Sequence, residues 1–277
     1  MPVLMQTNVS SLESQRNLSK SQVALSKSFN KLSSGYRINT AADDAAGLAI
    51  SEGMRAQIRS YAVAERNAND GISMSQVAEG ALGEISGILA RMRELAMQGA
   101  NGSLTGIDRG YLETEYSSLR EEIARIQVST KFNGKQMLGA SAVSITFQVG
   151  LNATTSDQIT IAFGGFSLST LLASTNTLAG STASASLAAL SIIDNALTEV
   201  STQRARFGAA MNRLETTTSN IATMRLNMSA ANSRIRDVDV AEETATMSKN
   251  QVLSQAGAAV LAQANQIPQI AISLLRG

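Results

Sequence analysis

Between Leu190 and Met228, apolar side chains recur in alternating steps of three and four. Positions 190, 193, 197, 200, 204, 207, 211, 214, 218, 221, 225 and 228 hold nine apolar residues, interrupted by Arg204, Thr218 and Arg225. A repeat of about 3.5 residues keeps one side of a helix against its partners, so the stretch predicts a long packed helix with Leu190, Leu197, Phe207, Leu214 and Ile221 in its core. Taken alone, this seam reads as half of a parallel dimer, with Arg204 and Arg225 as polar breaks that set its register.

The two ends carry weaker stripes. Leu4, Leu18, Leu25 and Leu32 share one seven-residue register, with Ser11 in the gap and Ser, Asn and Gln between them. Near the other end Leu253, Gly257, Val260, Ala264, Ile267, Ala271 and Leu274 step by four and three. Helices this sparsely apolar are marginal alone and need partners. Thr40 with Asp43 resembles a capping box, and Asp239 with Glu242 a second helix start. Between these signals a helix is expected over about 43–98, broken near Asn69-Asp70-Gly71. Leu112, Tyr116, Leu119, Ile123 and Ile126 predict an antiparallel helix after a Gly-rich turn. Val143–Val149 and Ile159–Phe163 alternate apolar and polar, which predicts a β-hairpin. Gly164 to Ser186 reads as loop or short turns. The expected fold is mainly α: an elongated antiparallel helical bundle with a small β-hairpin, whose N- and C-terminal helices pair as a coiled coil.

Composition narrows the chemistry. The 277 residues contain no Cys and no His, which removes thiol nucleophiles, disulfides and the commonest general base. No nucleotide, phosphate or calcium loop is present, so no cofactor, metal or catalytic residue is assigned and an enzyme is not expected. A net charge of +1 gives no electrostatic case for nucleic acid. No run of apolar residues is long enough for a membrane span, and the first residues lack the pattern of a cleaved signal peptide. Two end stripes in need of external partners suit a chain that assembles, and a head-to-tail contact that does not close builds a fibre.

Ordered blocks then point to one family. Leu32-Ser33-Ser34-Gly35-Tyr36-Arg37-Ile38-Asn39, Asp43-Asp44-Ala45-Ala46-Gly47-Leu48-Ala49-Ile50, Arg66-Asn67-Ala68-Asn69-Asp70-Gly71-Ile72-Ser73 and Arg91-Met92-Arg93-Glu94-Leu95-Ala96-Met97-Gln98 resemble the amino-terminal signature of bacterial flagellin. Phe132-Asn133-Gly134 follows in place. Ser233-Arg234-Ile235, Leu261-Ala262-Gln263-Ala264-Asn265-Gln266-Ile267-Pro268-Gln269 and Leu274-Leu275-Arg276 are similar to its carboxy-terminal signature. The resemblance covers residues 1–139 and 187–277.

That resemblance implies a structural subunit of the flagellar filament, used for swimming, in a short form lacking large outer domains. It implies an inner coiled coil from 1–41 and 238–277, a helical rod from 42–139 and 187–237, and a short hairpin and loop region at 140–186. Subunit assembly would rest on Leu4, Leu18, Leu25, Leu32, Leu253, Val260, Ile267 and Leu274. The polar breaks in the 190–228 seam would then meet partners within one subunit. Implied partners are other copies of the chain, an export chaperone at the C-terminal helix, and the flagellar cap and hook-junction proteins. The implied location is the extracellular flagellum, reached through the flagellar type III apparatus without a cleaved signal peptide. Arg91, Leu95 and Glu115 match positions with two family roles, subunit contact along the filament and recognition by a vertebrate Toll-like receptor; subunit contact is the expected one. Two other classes share features: a hook–filament junction protein has flagellin-like ends, and a chemoreceptor-like signalling hairpin is also a long Ala-rich rod, though without a β-hairpin.

Overall fold

Two very long helices carry the fold, each set by the apolar repeat that predicts it. In a computed structural model, residues 7–165, 168–180 and 182–276 are described, and the side chains of 267–276 fall outside the description. The elements run α1 (Val9–Ser34), α2 (Ala45–Gly99), α3 (Gly106–Ser129), β1 (Lys131–Phe132), β2 (Lys135–Gln136), β3 (Val143–Gln148), a 3-10 turn (Thr155–Asp157), β4 (Gln158–Phe163), α4 (Ser169–Leu172), α5 (Ser184–Arg236) and α6 (Val240–Arg276). The chain is mainly α, as expected, and carries the expected hairpin, β3–β4, together with a second small antiparallel pair, β1–β2. Among the described residues no helix is long and apolar enough to cross a membrane.

The chain divides into two compact units: residues up to Ile58 with those from Leu226 onward, and Arg59–Arg225. In the second unit α2 and α5 run antiparallel, tied by Arg93–Asp194 at 2.8 Å, Arg204–Glu79 at 2.7 Å and Arg225–Glu65 at 2.8 Å. Arg204 and Arg225 therefore pair inside one chain, and the parallel-dimer reading of the seam is set aside. A third layer covers the pair. Its upper part is α3, which buries Tyr116 and Ile123; its lower part is the β3–β4 hairpin, which buries Phe147, Ile159 and Ile161 and stacks Phe163 on Phe207 at 5.5 Å. The hairpin register pairs Ile145 with Ile161 and Phe147 with Ile159, so alternate residues face the core.

The core of α5 departs from the predicted seam in one of its two rows. Ile193, Val200, Phe207, Leu214 and Ile221 are buried as predicted. The other row is shifted by one: Ala189, Ala196 and Gln203 are buried, while Leu190 and Leu197 only pack partly against the core and Arg204 is exposed. Two of these three inner positions are Ala, and the larger Leu190 and Leu197 side chains flank them.

The expected break at Asn69-Asp70-Gly71 is absent, and α2 is continuous. Gly71 is a packing position instead: a Cβ there would lie 2.9 Å from Leu214 Cδ1 and 3.3 Å from two ring carbons of Phe147. The Thr40–Asp43 pair also takes a different place. Asp43 Oδ2 accepts hydrogen bonds from the Thr40 N–H and hydroxyl in the turn before α2, while Asp44 Oδ1 accepts from the Gly47 N–H and caps the helix. The Thr40 N–H, the largest contribution, holds the Asp43 carboxyl below its usual pKa. A full capping box starts α3, between Thr105 and Asp108. Asn133 and Gly134, at φ 47° and 78°, form the two-residue turn of the β1–β2 hairpin, where left-handed backbone is required. The segment after Gly164 is more than loop: Leu168, Leu171 and Leu178 are buried, and Arg120 Nη1 donates to the Ala173 and Asn176 carbonyls.

Candidate assembly site

In the first unit α1 and α6 run antiparallel along one another, and their contact is built mostly from small and polar residues. On α1 the inward positions are Ser11, Ser14, Leu18, Ser21, Leu25, Ser28 and Leu32; on α6 they are Glu243, Met247, Asn250, Ser254, Gly257, Leu261 and Ala264. Both sets step by three and four, as a helix pair requires. Asn8 caps α1 and its Nδ2 donates to the Ala264 carbonyl at 2.8 Å. The Ser11 hydroxyl meets Asn265 Oδ1 at 2.8 Å, and Lys31 lies 3.5 Å from Glu243 at the other end of the pair. Gly257 brings the backbones close, with Leu18 Cδ1 at 3.6 Å from the position of an added Cβ.

A short joint sets how the pair begins. Gly35, at φ 74°, ends α1 in the left-handed conformation and accepts the Val238 N–H at 3.1 Å. The Arg37 N–H donates to the Arg236 carbonyl at 2.7 Å, and Tyr36 pairs with Asp237 as an isolated bridge. The Arg236 guanidinium stacks over the Tyr36 ring at 4.5 Å and bonds Glu52, and this bond is the main cause of the lowered Glu52 pKa. Asp239 Oδ1 accepts from the Ala241 and Glu242 N–H groups, so it caps α6 as expected.

The pair also leaves apolar side chains outside, among polar neighbours. Val9, Leu12 and Val23 on α1, and Val252, Leu253 and Val260 on α6, are all 47–63% exposed. The assembly residues expected from the end stripes therefore separate. Leu18, Leu25 and Leu32 are half-buried in the α1–α6 contact; Leu253 and Val260 face outward, while Gly257 and Ala264 of the same stripe face inward. Leu4 lies outside the described residues, and so do the side chains of Ile267 and Leu274. The outward stripe on α1 (Val9, Leu12, Val23) leaves no repeat in the sequence, because these residues are widely spaced among polar neighbours.

In the second unit Arg91 and Glu115 are exposed and bound to each other at 2.7 Å, with Glu94 as a second partner of Arg91 at 2.9 Å. The guanidinium is held more firmly charged than usual, first by Glu115. Leu95 is only 1% exposed and belongs to the core of its own chain, because its side of α2 faces α3 and α5. Of the three residues expected at this block, Arg91 and Glu115 remain at the surface.

The family described as the bacterial flagellin N-terminal helical region matches residues 5–142, and the bacterial flagellin C-terminal helical region matches 190–275. A flagellin of Bacillus subtilis is 43% identical over 97% of this chain and 98% of its own length. A flagellar filament 33 kDa core protein of Treponema phagedenis is 42% identical over 97% and 98%. A crystal structure of Bacillus cereus flagellin, 31% identical, superposes on 60% of this chain and 94% of its own at a TM-score of 0.49. The chain belongs to the bacterial flagellin family.

Proposed function

We propose that this chain is a structural subunit that self-assembles into the helical bacterial flagellar filament and serves swimming. The observation that carries the reading is the α1–α6 pair: a thin contact in which Ser residues alternate with half-buried Leu, and Val252, Leu253 and Val260 left exposed outside it. At roughly 25 cal/mol per Å² of apolar area, covering such side chains with another copy contributes more than their isolated pairing does. The stripe residues then divide their work. Leu18, Leu25 and Leu32 hold α1 on α6; Leu253 and Val260, with Leu4, Ile267 and Leu274, serve contacts between copies.

The finer expectations belong to the same proposal. Residues 1–41 and 238–277 form the inner domain, 42–139 and 187–237 the rod, and 140–186 the short outer region. The subunit leaves the cell unfolded through the flagellar type III apparatus. A chaperone covers the apolar side of α6 before export, and the cap protein folds arriving subunits. Arg91 and Glu115 act in contacts between copies. The chain acts as a structural subunit, not an enzyme. Relatives more than 40% identical over almost the whole length are flagellins or filament core proteins, which favours this reading over a hook-junction protein.

Seeded polymerisation followed by negative-stain microscopy tests it. Purified chain is expected to extend seeds into long helical filaments. Protein that only caps or joins added filaments fits a hook-junction role and overturns the proposal.

A further inference from the structure

An Asn followed by Gly is a point at which a chain can rearrange unaided. The side-chain amide lies within reach of the next backbone nitrogen, and Gly adds no side chain to keep the two apart. Two such pairs occur here, Asn101-Gly102 and Asn133-Gly134, both exposed. The fold treats them differently. Asn133 and Gly134, at φ 47° and 78°, close the β1–β2 hairpin between the paired residues Phe132 and Lys135. In a left-handed turn of this kind the first side chain lies anti to the following backbone nitrogen.

Asn101, in the turn between α2 and α3, is held the other way. Its Oδ1 accepts from the Ser103 N–H at 3.1 Å, which folds the side chain over Gly102. Its main-chain carbonyl accepts from the Leu104 N–H at 3.4 Å and from Arg109 Nη2 at 3.1 Å. Arg109 is itself fixed, being 2% exposed, with Nε donating to the Gly99 carbonyl at 2.9 Å. A Cβ at Gly102 would meet nothing within 4 Å, so solvent reaches this turn.

We infer that Asn101-Gly102 is a self-modifying site, which deamidates through a cyclic imide and opens to isoaspartate. The Gly102 nitrogen bonds to Asn101 Cγ, the Cγ–Nδ2 bond breaks, and the Gly102 proton passes through solvent to the departing nitrogen, which leaves as ammonia. Charge develops on Oδ1 during this step, where the Ser103 N–H already donates. Water then adds to the imide carbonyl at the main-chain position, because the Leu104 and Arg109 donors hold the oxyanion formed there. The bond from that carbon to the Gly102 nitrogen breaks, and the chain afterwards runs through Cβ and Cγ. The freed carboxylate stays on the Arg109 guanidinium, where a charge-assisted pair replaces a hydrogen bond to a neutral carbonyl. In sum one water is taken up and one ammonia released, with no oxidation. The α2–α3 turn gains a negative charge and an extra backbone atom, a mark that accumulates with the age of the protein.

The full chain, folded or in urea, is held at mildly alkaline pH in heavy-oxygen water, so that products formed before digestion carry the label. Tryptic peptides 94–109 and 132–135 are then followed by mass spectrometry, with electron-transfer fragmentation separating isoaspartate from aspartate. Folded protein is expected to convert Asn101 at least about tenfold faster than Asn133, since preorganised oxyanion donors contribute factors of this size or more. In urea the two sites should react at similar rates, and the isoaspartate share at position 101 should fall. Equal rates at the two sites in folded protein overturn the assignment of the site. An isoaspartate share at 101 that is the same folded and unfolded overturns the part given to Arg109 and Leu104. Gly102→Ala should slow conversion at 101 and leave 133 unchanged; conversion at the wild-type rate overturns the route through the imide.

Discussion

Two glycines of α2 are expected to respond to the same substitution with opposite signs. Replacing Gly by Ala inside a helix stabilises it by about 1 kcal/mol, because Gly has more backbone freedom to lose on folding. At Gly80 a Cβ would meet nothing within 4 Å, so Gly80→Ala should show that full gain. At Gly71 the same Cβ would stand 2.9 Å from Leu214 Cδ1 and 3.3 Å from the Phe147 ring. Neither neighbour can yield easily: Leu214 is fully buried and Phe147 is 7% exposed, both in the same packed core. Overpacking of this kind costs about 1–3 kcal/mol, which offsets or exceeds the helix gain.

Gly71→Ala is therefore expected to destabilise the second unit by about 1 kcal/mol, and the two variants should differ by about 2 kcal/mol. Urea unfolding followed by far-ultraviolet circular dichroism measures this, with the midpoint moving in opposite directions at unchanged slope. Equal stabilisation by both variants would refute the claim that Gly71 is present because Leu214 and Phe147 close over it.

Other outcomes follow from the same packing. Burial pushes the Tyr116 phenol up to about 12, so its contribution to stability is intact below pH 10 and is lost as pH rises from there; Tyr116→Phe should flatten the alkaline limb of the stability profile. Glu52 has a folded pKa below its ordinary 4.5, chiefly through Arg236, so its contribution is present above that value and falls away as acid protonates it; Glu52→Gln should reduce the acid sensitivity of the Tyr36–Arg236 joint, read from Tyr36 fluorescence in a variant whose other tyrosines are replaced by Phe. Leu253→Ser with Val260→Ser should abolish seeded elongation while leaving monomer unfolding unchanged, because both side chains are exposed. Arg204→Ala should cost less than about 1 kcal/mol in urea unfolding, since both partners of the Glu79 pair are partly in water.

The sequence displayed the helices and the hairpin clearly, and it was least informative where small residues make the contacts. In α5 the row at 193, 200, 207, 214 and 221 is legible because each position holds a large apolar side chain. Its companion row is displaced by one in the sequence pattern, to Leu190 and Leu197, because Ala189, Ala196 and the polar Gln203 carry little apolar signal although they lie inside. The same effect divides the C-terminal stripe, where Gly257 and Ala264 form the contact with α1 while Leu253 and Val260 face out. A short segment hides its role for another reason. Leu168, Leu171 and Leu178 fall in a stretch whose helix α4 is four residues long, too short for any periodicity to register. Gly71 shows the converse error, where a residue with a turn-like signature serves close packing.

The division between a self-supporting second unit and terminal helices that drive polymerisation is tested most directly by a chain ending at Val238. Without α6, α1 loses its partner and the outward Val252, Leu253 and Val260 are gone, while the Arg59–Arg225 core is untouched. Seeded elongation should be absent by microscopy and sedimentation, and the unfolding transition of the second unit should keep its midpoint. Filaments grown from the truncated chain would contradict the assignment of assembly to the ends.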